Sequence, residues 1–307
     1  MKIVIYGTGG VGGFFGGKIA KAGYDVTFIA RGEHLKAIRQ SGLKVKSIHG
    51  DFHIKPKATD AIPEETAIDL VLIAVKTWQL RDVAAKLKPI LGKETMVLPL
   101  QNGADNLEKL LEVLPEYNVL GGLCRIVSMV EAPGVINHFG FDPSIVFGEI
   151  DNTLSERVNK IKGVFDNAGI KNHISDNIQL EIWKKFTFIT TVSGIAALTR
   201  TVFGELRKHK GILEMMQETG HEITLIANAK HIAITQQDVD KALDWVQNCE
   251  YNTTASMQRD IMEGWPSELQ DFNGYIVKEG LRLGIETPVN KFVYDCLLPQ
   301  EMKVRST

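Results

Sequence analysis

A glycine-rich turn set between an apolar run and a helical pattern constrains this chain more than any other feature. Ile3, Val4, Ile5 and Tyr6 lead into Gly7, Thr8, Gly9, Gly10, Val11 and Gly12. A helical stretch follows, and then a second β-rich run, Val26, Thr27, Phe28 and Ile29. In a chain with 28 glycines a bare G-x-G-x-x-G is weak. Placed after a strand and opening a helix, it has the context that a dinucleotide-binding βαβ unit requires. Gly7 is expected to make the tight turn, Gly9 to let the backbone approach a pyrophosphate, and Gly12 to let the helix pack on the strand. The phosphates would meet the unpaired N–H groups at the positive end of the helix, which makes residues 7–12 the candidate phosphate loop.

The end of the second strand selects the cofactor. An NAD enzyme usually carries Asp or Glu there for the ribose 2′-hydroxyl, whereas this chain has Ala30, Arg31 and Gly32. With no carboxylate to repel it and a guanidinium able to fork onto it, a 2′-phosphate is the better match, so NADP (NADPH) is expected. The bland alternative is a solvated loop arginine. Lys36, Arg39, Lys44 and Lys46 lie beyond Arg31 as a basic cluster, read either as an aid to the 2′-phosphate or as a solvated face.

Composition excludes several classes. The 307 residues suffice for two globular domains, and a formal net charge of −2 gives no electrostatic reason to expect nucleic acid or an anionic membrane as partner. Apolar runs such as residues 70–75 fall far short of a bilayer span. Met1 and Lys2 lead straight into the first strand, which reads as the absence of a signal peptide. Cys124, Cys249 and Cys296 are few, odd in number and widely spaced, as expected of reduced, mostly buried thiols in a cytoplasmic protein. His49, His53, His138, His173, His209, His221 and His231 show no metal-ligand spacing, so no metal is expected, and His138 is read as structural.

The pattern changes near residue 175. Before it, β-like runs recur at 70–75, 96–100, 119–122, 126–130, 135–139 and 145–147, the earlier ones separated by helical patterns and the later ones close enough for an antiparallel extension. After it, amphipathic helical patterns fill the chain, including 178–193, 214–229 and 236–248. The expected fold is α/β: a Rossmann-type doubly wound sheet over 1–173, then an all-α domain over 174–307, with a cleft between them as the default substrate site. Pro266 and Ser267 read as a helix start that places Glu268 in a first turn. Trp245, Tyr251 and Met257 read as helical core, with a contact between two copies of the chain as the second reading.

Two strand ends in the first half carry polar groups. Lys76 follows Val75, and Gln101, Asn102 and Gly103 follow Leu100. Ligands of open α/β sheets bind outside the carboxyl ends of the strands, which directs Lys76 and Asn102 toward the nicotinamide half of a cofactor. Asn-Gly is also a common turn dipeptide, so Asn102 keeps that second reading.

The combination of these pieces resembles the ketopantoate reductase (2-dehydropantoate 2-reductase) family. The opening glycines with Arg31, the Val75, Lys76, Thr77 triplet, Gln101 with Asn102 and Gly103, and Val146 to Gly148 all contribute. So do Trp183, Lys184 and Lys185, then Gly204, Glu205 and Leu206, then Ser256 with Met257, and the stretch 268–290. The match is collinear over nearly the whole chain. The resemblance implies NADPH-dependent reduction of a 2-keto acid to a 2-hydroxy acid, most simply 2-dehydropantoate to pantoate in pantothenate biosynthesis. It implies Lys185 as general acid, Glu268 holding that lysine and the substrate hydroxyl, Ser256 on the substrate carboxylate, and Asn102 at the site. Without it, Lys185 is a surface helix residue and Glu268 a plain helix acid.

Three positions depart from the family pattern. Asparagines expected four and eight residues after the lysine are Ile189 and Ser193, and one before Gly204 is Phe203. Ile189 and Ser193 would line the same face of the helix as Lys185, leaving a more apolar pocket wall. Thr190, Thr191 or Asn252 would have to replace the lost polar groups, or the substrate is a more apolar 2-keto acid. A noncatalytic NADP-binding sensor is the reading from another class, and the joint presence of Lys185, Ser256 and Glu268 weighs against it.

Overall fold

The apolar runs of the first hundred residues become parallel strands because both of their faces are buried. A computed structural model describes residues 1–62 and 67–306. Contacts divide the chain into one unit of residues 1–102 and 106–178 and another of 103–105 and 179–307.

In the first unit, β1 (Lys2–Tyr6), α1 (Gly10–Lys21), β2 (Asp25–Ile29) and α2 (Gly32–Ser41) follow the expected order. Next come β3 (Leu43–Ser47), β4 (Phe52–Ile54), β5 (Lys57–Thr59), β6 (Leu70–Ile73), α3 (Leu80–Leu87), β7 (Met96–Pro99) and α4 (Asn106–Leu111). The unit closes with β8 (Gly121–Ala132), β9 (Val135–Gly148), α5 (Glu156–Asn167) and β10 (Lys171–Ile174). The first sheet has the order β5-β2-β1-β6-β7 with every pair parallel. The chain runs outward from β1 to β2 and β5, then returns to β6 on the other side of β1. The strand order therefore reverses between β1 and β6, the switch point at which such sheets open a crevice.

The antiparallel extension is a second sheet. β8 pairs with β9 along its length, while the other edge of β9 takes β3 over its first half and β10 over its second, and β4 pairs with β3. The sequence reading split β8 and β9 into two runs each. They are continuous because the ladder survives a bulge: Arg125 faces Ser144 while Val127 faces Phe139, so residues 140–143 loop out of register. β3 was missed because Lys44 and Lys46 alternate with buried Leu43 and Val45 in a half-covered strand.

Helix α1 lies against both sheets, and its glycines allow it. A Cβ on Gly16 would come within 2.6 Å of Ile5 in the first sheet, and one on Gly13 within 2.6 Å of Ile136 in the second. Phe14 and Phe15, both buried, fill the space beside them.

In the second unit, the described residues form helices and no strand: α6 (Ile178–Thr199), α7 (Phe203–Leu206), α8 (Lys210–Ala229), α9 (Gln236–Asn248), α10 (Ser256–Glu263), α11 (Asn273–Leu283) and α12 (Pro288–Arg305). Helix α6 is apolar nearly all round and forms the centre of this core, with Trp183, Phe186 and Ile195 buried among Phe203, Ile223, Phe272 and Val293. A buried carboxylate from α8 caps α12. Glu222 accepts the N–H of Val289 at 2.7 Å and of Asn290 at 2.9 Å, and the side-chain amide of Asn290 at 2.7 Å.

Three expectations are corrected here. Glu268 is not in the first turn of a helix: the winding at 268–272 breaks at Phe272, whose φ of −103° and ψ of −95° are non-helical, and α11 starts at Asn273. Met257 is core, but Trp245 and Tyr251 are 37% and 46% exposed. Tyr251 stays at the surface because its ring lies over Gly204 and its hydroxyl donates to Glu205 at 2.7 Å. The three cysteines are free, with Cys124 buried, Cys249 half-buried and Cys296 exposed. No helix among the described residues is long and apolar enough to cross a membrane.

Candidate active site

The glycine turn runs from the end of β1 into α1, and each glycine answers a different constraint. Gly7 has φ +102°, and a Cβ there would come within 2.8 Å of Val75, so the turn at the switch point admits only glycine. A Cβ on Gly12 would fall 2.1 Å from the carbonyl oxygen of Gly7 and 2.9 Å from Ile5, which sets the close helix–strand approach. Gly9 is the opposite case, with no atom within 4 Å of where its Cβ would be. Helix α1 begins there without a side-chain cap and without an acidic residue in its first turn. A helix start with no side-chain cap, no acidic residue in its first turn and open space at Gly9 fits a pyrophosphate.

Thr8 serves the loop itself. Its N–H and hydroxyl both donate to the carbonyl of Ile29, at 3.1 and 2.9 Å, and tie the phosphate loop to the end of β2. Two residues on, Arg31 precedes α2 as its N-cap, exposed and in an ion pair with no described carboxylate. Three of the four basic residues beyond it have partners within the protein: Lys36 with Glu33 at 2.6 Å, Arg39 with the carbonyl of Ala58 at 3.0 Å, and Lys46 with Glu131.

Sequence reasoning missed two groups bordering this loop. A Cβ on Gly10 would lie 2.4 Å from the carbonyl oxygen of Ser128, so the β8–β9 hairpin packs directly on the loop. His34, in the first turn of α2, accepts the N–H of Gly134 from the hairpin turn at 3.1 Å. Burial lowers its pKa, with the Thr8 backbone acting weakly in the other direction. No local pattern announces either contact, because both join segments about a hundred residues apart.

At the carboxyl edge of the sheet, Lys76 follows β6, exposed, with its ammonium 5.7 Å from the Trp78 ring centroid. Asn102 follows β7, half-buried, and its carbonyl accepts the side-chain amide of Asn106 at 3.0 Å. Beside it, Gln101 is 7% exposed, and neither its side-chain amide oxygen nor its nitrogen has a hydrogen-bond partner among the described residues. Each buried polar atom left unpaired costs about 1–3 kcal/mol, so Gln101 is a group whose environment calls for a polar ligand atom or water. The sequence reading took Asn102 from the Gln101, Asn102, Gly103 triplet as the group facing the nicotinamide, with a turn as its second reading, and did not single out Gln101.

In the second unit, Lys185 is half-buried on α6 between two anchors of the core, Trp183 and Phe186. Phe186 meets Phe272 and Tyr275 edge-to-face, with centroids 6.2 and 5.9 Å away, and Trp183 lies 6.1 Å from Tyr275. The segment held by these rings begins at Glu268, a 5% exposed carboxylate residue whose carbonyl accepts the N–H groups of Asp271 and Phe272. One aromatic cluster thus joins the turn of α6 that carries Lys185 to the segment that carries Glu268.

The same helix face sinks inward with distance from Lys185. Ile189 is half-buried against the helical core and Ser193 is 2% exposed. Thr190 and Thr191 are fully buried, and Thr191 faces Gly220 of α8, so neither offers its hydroxyl at the surface; Asn252 is exposed. Phe203 is fully buried with its ring 5.2 Å from that of Trp245, which makes this departure one of core packing. Ser256 opens α10 and is exposed. Gln258 fixes that helix start, accepting the N–H of Ala255 at 3.1 Å and donating to the carbonyl of Thr201 at 2.8 Å.

Comparisons with known proteins agree along the chain. The ketopantoate reductase PanE/ApbA family matches residues 3–152, and its C-terminal counterpart matches residues 177–301. The 2-dehydropantoate 2-reductase of Pyrococcus abyssi (strain GE5 / Orsay) is 32% identical over 301 residues, spanning 98% of this chain and 98% of its own. The crystal structure of a PanE/ApbA family ketopantoate reductase from Ralstonia eutropha JMP134 has a TM-score of 0.91 at 29% identity, covering 99% of this chain and 100% of that one. D-mandelate dehydrogenase, in a ternary structure with NADH and anilino(oxo)acetate, shares the fold with a TM-score of 0.91 at 23% identity, covering 99% of each chain.

Proposed function

The chain belongs to the ketopantoate reductase family, oxidoreductases acting on CH–OH groups, and from that premise we propose that it reduces 2-dehydropantoate to pantoate with NADPH. The observation that carries this reading is the aromatic cluster that seats Lys185 and Glu268 on adjoining segments. We assign nucleotide binding to the first unit and the acid to the second, in a cytoplasmic protein whose three cysteines are free thiols.

Gly7, Gly9, Gly10, Val11 and Gly12 would hold the pyrophosphate, with Thr8 fixing their loop and Arg31 taking the 2′-phosphate. Lys76, Asn102 and the unpaired amide of Gln101 lie at the edge assigned to the nicotinamide. When bound, the reduced nicotinamide supplies the hydride. The oxygen of the keto group then gains negative charge, and Lys185 stabilises that charge with its ammonium and delivers a proton to the oxygen. Glu268 orients the ammonium and keeps it charged. Ser256 takes the substrate carboxylate, and Ile189 forms the neighbouring wall with Ser193 buried one turn behind it.

Ile189 favours a second reading, a substrate of the same 2-keto acid class with a more apolar side chain, because its side chain offers no hydrogen bond to a substrate hydroxyl. The test is NADPH oxidation with 2-dehydropantoate beside linear and branched 2-keto acids. Turnover of 2-dehydropantoate with the highest kcat/KM supports the first reading, and preference for an apolar keto acid supports the second. NADPH binding with no turnover of any would overturn both in favour of a sensor. Lys185→Ala is expected to lower kcat about a hundredfold or more, and an unchanged rate would place the proton donor elsewhere.

A further inference from the structure

We infer that Glu301 and Arg305, on the last helix, are positioning residues that set Glu268 in place for the reaction. The inference rests on the role proposed for Glu268.

Ser267, the residue before Glu268, is fully buried and gripped on both of its peptide groups. The Glu301 carboxylate accepts the Ser267 N–H, with oxygens at 3.1 and 3.2 Å, and the Ser267 hydroxyl at 2.6 Å. Arg305 donates from Nη2 to the Ser267 carbonyl at 2.8 Å and from Nε to Glu301 at 2.6 Å, closing a ring of charge-assisted bonds. The Ser267 hydroxyl oxygen in turn accepts the N–H of Leu269 at 3.3 Å. Glu268 thus sits between two held residues, with its own carbonyl taken up by the turn that follows.

This grip matters because residues 265–272 belong to no helix or strand, so no ladder of their own fixes them. Turn bonds to the Glu268 carbonyl wind 268–272, and Ser267 just before them is anchored by tertiary bonds from Glu301, whose side chain is 1% exposed, and Arg305 one turn later. Burying a carboxylate is tolerable only when donors satisfy it, and here the backbone, the hydroxyl and the guanidinium do so. Apolar packing would stabilise the same contact about as well. What the charged ring adds is direction, and an error of about 1 Å at a reacting group can cost about a hundredfold in rate.

The test is a mutant cycle with a thermal-unfolding control. Glu301→Gln keeps an acceptor for the Ser267 amide but weakens the pull on Arg305, and kcat is expected to fall about tenfold or more with the Kd for NADPH unchanged. In a Glu268→Gln background the same change should have no further effect on kcat. The alkaline limb of the pH–rate profile should move to lower pH in Glu301→Gln, as it should in Glu268→Gln. Should Glu301→Gln fail to fold, Arg305→Lys, at a side chain still 22% exposed, carries the same cycle. A wild-type kcat in the clamp variant, or an equal loss in both backgrounds, overturns the inference. A Glu268→Gln enzyme with wild-type kcat overturns the role of Glu268, and this inference with it.

Discussion

Arg31 and the glycines show how much single residues can be asked to explain. Arg31 is exposed at the N-cap of α2 with no described carboxylate paired to it, so its guanidinium is available for a charged ligand group. Arg31→Ala should weaken NADPH binding by about tenfold or more and leave NADH nearly unchanged, as measured by fluorescence titration; equal weakening of both would sink the 2′-phosphate assignment. Gly9 and Gly10 separate binding from folding. A methyl at Gly10 meets the Ser128 carbonyl at 2.4 Å, while one at Gly9 meets nothing. Gly10→Ala should therefore lower stability by about 1–3 kcal/mol, whereas Gly9→Ala should unfold like the parent and lose NADPH affinity. The turn glycines and Arg31 were legible in the sequence. Gly10 was read only as part of the phosphate loop, because the hairpin against it lies more than a hundred residues away.

At the scale of elements, the sequence reading located the fully buried strands β6 and β7 and the helices α1, α6, α8 and α9, and it lost the half-covered strands. α8 and α9 follow apolar spacing, and α6, expected to be amphipathic, is apolar nearly all round because it is the core of its unit, while β3, β4, β5 and β10 are three to five residues long and gain their strand geometry from partners. The segment around Glu268 shows the limit most clearly. Pro266 and Ser267 look like a helix start, yet Ser267 is held by Glu301 and Arg305, and the helix waits until Asn273. The start of α12 is also governed from a distance, since Glu222 of α8 satisfies two of its N–H groups and the amide of Asn290. Glu222→Ala should destabilise the protein by about 2–4 kcal/mol in urea unfolding, because those buried donors lose a charged acceptor. A change below about 0.5 kcal/mol would mean that water replaces it.

For the molecule as a whole, the first unit should be the more acid-sensitive. Burial lowers the pKa of both His34 and His138 from 6.5. His138 donates from Nε2 to the carbonyl of Phe141 at 3.1 Å, so in the neutral ring Nδ1 accepts the Ser47 hydroxyl at 2.8 Å, and the ring lies against Phe14. As pH falls below about 6.5 the unfolded chain binds these protons and the folded one resists them, so stability declines toward acid. The unfolding temperature should drop between about pH 7.5 and 5.5, and His138→Asn should flatten that slope; an unchanged slope would assign the titration to other groups. The family reading follows the same division between local and distant information. The sequence alone determined the βαβ start with its glycine turn and the change to an all-α second half, because each is written in neighbours within a few turns of chain. Only the tertiary structure decided that Phe203 is core, that the Gln101 side chain is buried without a partner among the described residues, and that Ser267, beside Glu268, is held by the last helix. Those outcomes depend on which distant segments exclude water from a side chain or donate to its backbone, and no local period encodes that.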